Sequence, residues 1–296
     1  MTDAIQTAPA RPGEEVISPR RRFRAFSKIT RSGPALAGLA LVSFFVLIAL
    51  FAPWLAPQDP FASSFTAIRN PPSAEHWLGT DEVGRDILSR LILGARASLL
   101  AGVVSVGIAV AIGVPLGLLA GYFGGWTDGI ISRLTEALLS IPSLILAIAL
   151  AATLGPSLTN AMLAIGIAAT PIFIRLTRGQ VMAVKTEDYV DGARAIGLPH
   201  SLILWRYILP NVAPPLVVQA TITVATAIIA EASLSFLGLG QQPPNPSWGS
   251  MLNSAKNYMM HAPFMSIFPG TAIFLVVLGF NMLGDGLRDA LDPRET

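Results

Sequence analysis

Long apolar runs broken by short polar segments dominate this chain of 296 residues. Six runs reach the roughly 20 mostly apolar residues that a membrane-spanning helix needs. They cover residues 35–55, 97–121, 130–154, 158–174, 212–239 and 267–287. The fifth is long enough to be tilted or partly broken. The first run is longer than a signal-peptide core of about 7–15 residues and follows a polar tail, so it reads as a retained anchor. The tail, residues 1–32, carries Pro9, Pro12, Gly13 and a run of arginines. Its low apolar content reads as disorder.

One polar segment between the fourth and fifth runs has helical order. In Glu187-Asp-Tyr-Val-Asp-Gly-Ala-Arg-Ala-Ile-Gly-Leu-Pro199, the residues Tyr189, Ala193 and Ile196 recur at helical spacing and form one apolar stripe. Gly197 and Pro199 then stop the helix. A short amphipathic helix set between two spans reads as a docking element facing a partner in water. An ordinary interfacial helix is the other reading of the same pattern.

Composition agrees with a membrane chain: 52% of residues are hydrophobic and 13% charged, against about 25% charged in soluble domains. Mean hydropathy is +0.60. A net charge of +2 leaves no electrostatic footprint for nucleic acid. The absence of cysteine excludes disulfides, zinc-thiolate sites and iron–sulfur ligation.

Lysine and arginine asymmetry sets the orientation. The tail carries Arg11, Arg20, Arg21, Arg22, Arg24, Lys28 and Arg31, and the 175–209 loop carries Arg175, Arg178, Lys185, Arg194 and Arg206. The 240–266 loop has Lys256 alone. Six spans then put both termini and the 187–199 helix in the cytoplasm, and the loops 56–96 and 240–266 outside. Trp54, Trp126 and Trp205 fall near span ends, where aromatic belts lie. Residues 33–294 form one all-α, membrane-embedded domain.

No catalytic constellation is visible. None of Lys28, Lys185 and Lys256 follows a glycine, so no P-loop can be written. There is no H-E-x-x-H or G-x-S-x-G. His76, His200 and His261 lie in separate segments without metal-ligand spacing and read as solvated loop residues. Intramembrane charge is sparse. Arg133 and Glu136 are spaced to pair as i and i+3 near the cytoplasmic start of the third span. Glu231 lies inside the fifth, either as a pathway charge or as a satisfied structural carboxylate bonded to backbone or Ser235. A secondary carrier working without ATP is the alternative class. It needs more coupling charges and usually an inverted repeat, and no convincing repeat is visible.

Asp191-Gly192-Ala193-x3-Gly197, followed by Leu209-Pro210, resembles the E-A-A-x3-G-x9-I-x-L-P motif of ABC importer permeases. It departs at Asp191, Gly192 and Tyr207, which stand where the motif has glutamate, alanine and isoleucine. The segments 76–96, Trp126-Thr-Asp, Ile141-Pro142, 231–240 and 281–294 are similar to the permeases of the dipeptide, oligopeptide and nickel importers. The resemblance implies a channel-forming subunit of the bacterial inner membrane. It implies pairing with a second related permease, two ATP-binding subunits below and a solute-binding protein above. It leaves the chain itself without cofactor or metal and assigns ATP and Mg to the partners. Tyr189, Asp191, Gly192, Ala193, Ile196, Gly197, Leu209 and Pro210 then form the coupling region, with Ala193 on the docking face. Glu231, Arg133 and Glu136 become translocation-pathway residues.

Three further patterns carry expectations. Gly113, Gly117, Gly121 and Gly125 make a small-residue face suited to close helix packing within the chain or to a pore or subunit contact. Pro115 is expected to kink that span. Asp86 and Arg90 lie one turn apart as a surface ion pair, with Ile87, Leu91 and Ala95 opposite, on a helix lying on the outer surface.

Overall fold

The structure is a computed structural model that describes residues 33–291. Expectations for residues 1–32 and 292–296 lie outside the described residues. Nine helices occur among the described residues: α1 (Gly33–Leu55), α2 (Ile87–Phe123), α3 (Gly125–Leu139), α4 (Ser143–Leu154), α5 (Leu158–Val184), α6 (Asp188–Ala195), α7 (His200–Phe236), α8 (Trp248–Ala255) and α9 (Phe264–Leu291). Five are long and apolar enough to cross a membrane: α1, α2, α5, α7 and α9. The pair α3 and α4 makes a sixth crossing if it counts as one broken span.

That pair corrects the reading of 130–154 as one span. The helix stops at Ser140-Ile141-Pro142 and the axis turns by 90°. Pro142 cannot donate a backbone hydrogen bond, and the residue before a proline is pushed out of helical geometry. Two other spans are longer than hydropathy suggested. α5 continues past Ile174 through Arg175 and Arg178 to Val184, and α2 begins ten residues earlier than the apolar run, at Ile87. At 1.5 Å per residue, α2 is about 56 Å long and outreaches a hydrocarbon core of about 30 Å.

α2 and α5 share the most extensive helix contact in the bundle. Its register follows from three glycines. A Cβ on Gly113, Gly117 or Gly121 would lie 2.5–2.7 Å from the Cβ of Phe173, Thr177 or Val181, so only glycine lets the backbones meet. The stripe is therefore packing within the chain. Gly125 does not belong to it: it opens α3 at φ +51 with open space beside it. α9 packs on α1 and α7, and α7 also lies along α2. In α7 the stretch Ile203–Ile208 is π-helical, just ahead of Pro210. A proline cannot donate to the carbonyl four residues back, and one wide turn absorbs the gap.

The external residues 87–96 do not lie on the surface. Asp86 caps α2 by accepting from the Ser89 amide (2.8 Å) and hydroxyl (2.7 Å), and its other oxygen meets Nδ1 of His76 at 3.1 Å. Arg90 turns away from Asp86. Its Nε lies 3.3 Å from Asp81 Oδ2, and its Nη1 donates to the carbonyls of Pro60 (3.0 Å) and Pro244 (3.3 Å). A buried guanidinium must be paired, and these contacts bind both external loops to the top of α2. Ile87, Met251, Ala255, Ala262 and Met265 form a small apolar core beneath them. His76 is thus held by the helix cap rather than left in solvent.

Candidate functional site

α6 is assembled from its own ends inward. Asp188 and Asp191 occupy its first turn, where acidic groups suit the positive end of the helix. At the far end Gly197 takes φ +77 and donates to Arg194 O (2.9 Å), while the Leu198 amide donates to Ala193 O (3.2 Å). These two bonds close a Schellman turn, which needs a left-handed residue at this point. The Gly197 stop read from sequence is therefore a geometric requirement.

The expected stripe is rotated. Val190 and Ala193 are buried against the chain, and α6 packs on the π-helical stretch of α7. Tyr189 is half-exposed and Ile196 is 75% exposed. Gly192 sits between them, and a Cβ there would meet nothing within 4 Å. Ala193 therefore points inward rather than onto a docking face. Val190 accounts for the correction: its apolar side chain fixes which side of so short a helix turns to the core. The outward apolar face is Tyr189, Gly192 and Ile196, at i, i+3 and i+7. Burial and the Glu187 carboxylate push the Tyr189 phenol above its ordinary value of 10.0, so it stays neutral at physiological pH. Leu209 is partly buried against the main core and Pro210 is exposed, both at the start of the regular part of α7.

Polar and aromatic contacts tie α6 to the ends of two spans. Arg194 holds Asp191 Oδ1 at 3.0 Å and lies 5.2 Å from the centre of the Tyr122 ring. The Tyr122 hydroxyl is 2.8 Å from His200 Nδ1, so α2, α6 and α7 meet at one point. Nearby, Arg178 grips Asp128 with two bonds (2.5 and 2.7 Å), and Lys185 donates to Gly121 O at 2.7 Å. A cation there suits the negative end of α2. Sequence reasoning missed Tyr122, His200, Asp128 and Arg178. Opposite charges at the adjoining ends of neighbouring spans were the available signal.

The three suspected pathway charges are not brought together. Arg133 and Glu136 form a pair at 3.7 Å on an exposed side of α3, with side chains 87% and 61% exposed. Glu231 is fully buried within the chain, on no open surface. Its oxygens accept from the hydroxyls of Ser98 on α2 (3.1 Å) and Ser235 on α7 (2.6 Å). Among the described residues no group of three or more His, Asp or Glu lies close enough to hold a metal ion.

Comparison with known proteins matches this architecture. The family model for the binding-protein-dependent transport system inner membrane component covers residues 113–296. The N-terminal TM domain of oligopeptide transport permease C covers residues 21–72. The dipeptide transport system permease protein DppC of Alkalihalophilus pseudofirmus is 46% identical over 99% of this chain and 96% of its own. The probable D,D-dipeptide transport system permease protein DdpC of Escherichia coli is 49% identical over 86% of this chain and 85% of its own. The glutathione transport system permease protein GsiD of Escherichia coli is 44% identical over 98% of this chain and 96% of its own. Among solved structures, an inward-facing form of the MetNI methionine ABC transporter matches with a TM-score of 0.56. It is 22% identical over 70% of this chain and 98% of its own, a likeness of fold. A bundle of spans with a short helix held out at one end, and relatives that match nearly end to end, give one conclusion: the chain belongs to the inner-membrane permease components of binding-protein-dependent ABC transport systems.

Proposed function

We propose that this permease imports peptides or small peptide-like solutes, and that α6 is the helix through which ATP-binding subunits drive it. The observation that carries the reading is the outward face of Tyr189, Gly192 and Ile196. It stands on a helix anchored to two spans through Arg194, Tyr122 and His200. Helix-in-groove docking uses anchors at such spacing, and a glycine between the anchors allows close approach. The names of the relatives, for dipeptide, D,D-dipeptide and glutathione transport, support the solute class.

In this reading two ATP-binding subunits hold ATP and Mg and perform the hydrolysis, and the chain itself binds no cofactor. A second related permease pairs with it, a solute-binding protein delivers from outside, and both termini are cytoplasmic. Closure of the ATP-binding subunits moves α6, and α6 moves the ends of α2 and α7. The pathway opens outward to receive solute, then inward after hydrolysis. Arg133 and Glu136, free on α3, line the route between the two permeases.

The test is to tag the chain, extract it gently from native membranes and identify what accompanies it. A P-loop ATPase and a related permease are expected. Peptide uptake should persist when the proton gradient is dissipated and ATP is kept. Recovery of the chain alone, with uptake that ignores ATP, would overturn the reading in favour of a secondary carrier.

A further inference from the structure

An ionisable group buried at membrane depth is costly and asks for a reason. Glu231 has one that faces outward along the chain rather than into a pathway. A serine hydroxyl has a single proton to donate. The Ser98 hydroxyl donates to Glu231 Oε2, and its oxygen also receives the Trp248 amide at 3.2 Å. The Ser235 hydroxyl donates to Glu231 Oε1, and its oxygen receives the Gln241 amide at 3.0 Å. The carboxylate, which only accepts, therefore turns both serine oxygens toward the external segment 241–248. Trp248 is the first residue of α8, so its amide has no partner inside the helix. The Trp248 indole adds a bond to Leu91 O at 3.0 Å.

The fit is close. A Cβ on Gly240 would lie 2.0 Å from the Ser235 hydroxyl oxygen, so the loop lies directly on α7. Four pieces of the chain meet at this carboxylate: α2, α7, the loop after α7, and α8.

We propose that Glu231 is a positioning residue, a latch that locks the external loop and α8 to α2 and α7 so that the outer mouth moves as one piece with the spans. Motion entering at α6 reaches α2 and α7 first. Without the latch those helices would slide beneath α8 instead of carrying it. The functional arm of this proposal rests on the importer reading above; the structural arm does not.

The test uses the complete transporter with its partner subunits, reconstituted with the binding protein, in wild-type, E231A and S98A/S235A forms. Amide hydrogen exchange at Gln241 and Trp248 should quicken at least 10-fold in both variants, with α6 unchanged. Transport per ATP hydrolysed should fall at least 5-fold in both, with the basal ATPase rate kept. Wild-type transport in S98A/S235A beside lost transport in E231A would overturn the latch and make the charge itself the functional group. Less complex recovered, with wild-type transport per complex, would also overturn it, because the role would then be structural alone. Should E231A fail to fold, S98A by itself decides: exchange should quicken at Trp248 and not at Gln241. If the wild-type complex ignores the loaded binding protein, the importer reading fails, and the exchange measurement still judges the latch.

Discussion

α6 and α8 are two helices of eight residues each, both amphipathic and both set between spans. On paper they are the same object. In the fold they are opposites. α8 buries Trp248, Gly249, Met251 and Ala255, and its first amide is bonded to a serine of another helix. α6 buries only Val190 and Ala193 and leaves Tyr189, Gly192 and Ile196 outside. A helix that spends its apolar face on its own chain is a fixture. A helix that keeps apolar anchors in water has a surface still to be covered. The contrast separates the part of the molecule built for itself from the part built for a partner, and substitutions can test that division.

The largest effect is expected where a fixture is forced apart. A Cβ on Gly249 would stand 2.5 Å from Ala232 O and 2.6 Å from its Cα, and both are backbone atoms that cannot swing aside. Gly249→Leu should cost about 3 kcal/mol, the upper end for overpacking. A thermal unfolding scan of the purified complex reads this as a clear drop in Tm, and an unchanged Tm would dissolve the idea that α8 is seated on α7. Ala193→Arg belongs in the same class. With Ala193 4% exposed, an arginine there meets the core, and about 3 kcal/mol of lost stability is expected. That substitution examines folding, not docking.

The next effect belongs to the open helix. Ile196→Asp changes a side chain that is 75% exposed, so stability should move by no more than about 0.5 kcal/mol. Transport should nonetheless fall about 10-fold, equivalent to about 1.4 kcal/mol of docking, and less ATP-binding subunit should co-purify. Wild-type uptake with full recovery of the complex would remove Ile196 from the docking face and weaken the contrast with α8.

How much of this contrast could be read beforehand depends on which force decides each feature. The apolar runs marked every span because transfer of side chains into lipid dominates, and that quantity is additive along the chain. Hydropathy carries no direction, so the 90° turn at Pro142 was invisible to it even though the proline itself was in view. The extensions of α5 through Arg178 and of α2 back to Ile87 were hidden by charges, which lower hydropathy while finding partners: Asp128 for Arg178, Asp81 for Arg90. The position and length of α6 followed from its spacing and from Gly197. Its rotation did not, because Val190 and Ala193 compete with Tyr189 and Ile196 for the same core, and only the shape of the π-helical stretch of α7 decides the winner.

The junction behind α6 should give a smaller effect. Tyr122→Phe removes the hydroxyl that meets His200 and keeps the ring beneath Arg194. One lost hydrogen bond is worth about 1 kcal/mol. Transport per ATP hydrolysed should decline while the ATPase rate holds, and adding His200→Ala should change little more, since both remove the same contact. Fully additive losses in the double variant would show that the two residues act separately, and would leave α6 with Arg194 as its link to α2.

The smallest expected change is also the one in which the two helices differ in sign. Gly192 has open space where a Cβ would go, and its backbone is ordinary helix. Replacing a glycine inside a helix by alanine favours folding by about 0.5 kcal/mol. Gly192→Ala should therefore raise the stability of the isolated chain slightly, where any side chain at Gly249 lowers it. A stabilised chain would at first sight be the better transporter. If a partner groove closes over Tyr189, Gly192 and Ile196, however, the added methyl holds that partner away. Binding of the ATP-binding subunits should then weaken by a few-fold even as the chain itself melts higher, measured as subunit affinity and unfolding midpoint on the same preparation. Affinity that rises or stays level with stability would mean that the surface beside Gly192 is left open in the working complex, and that Tyr189 and Ile196 dock without needing close approach.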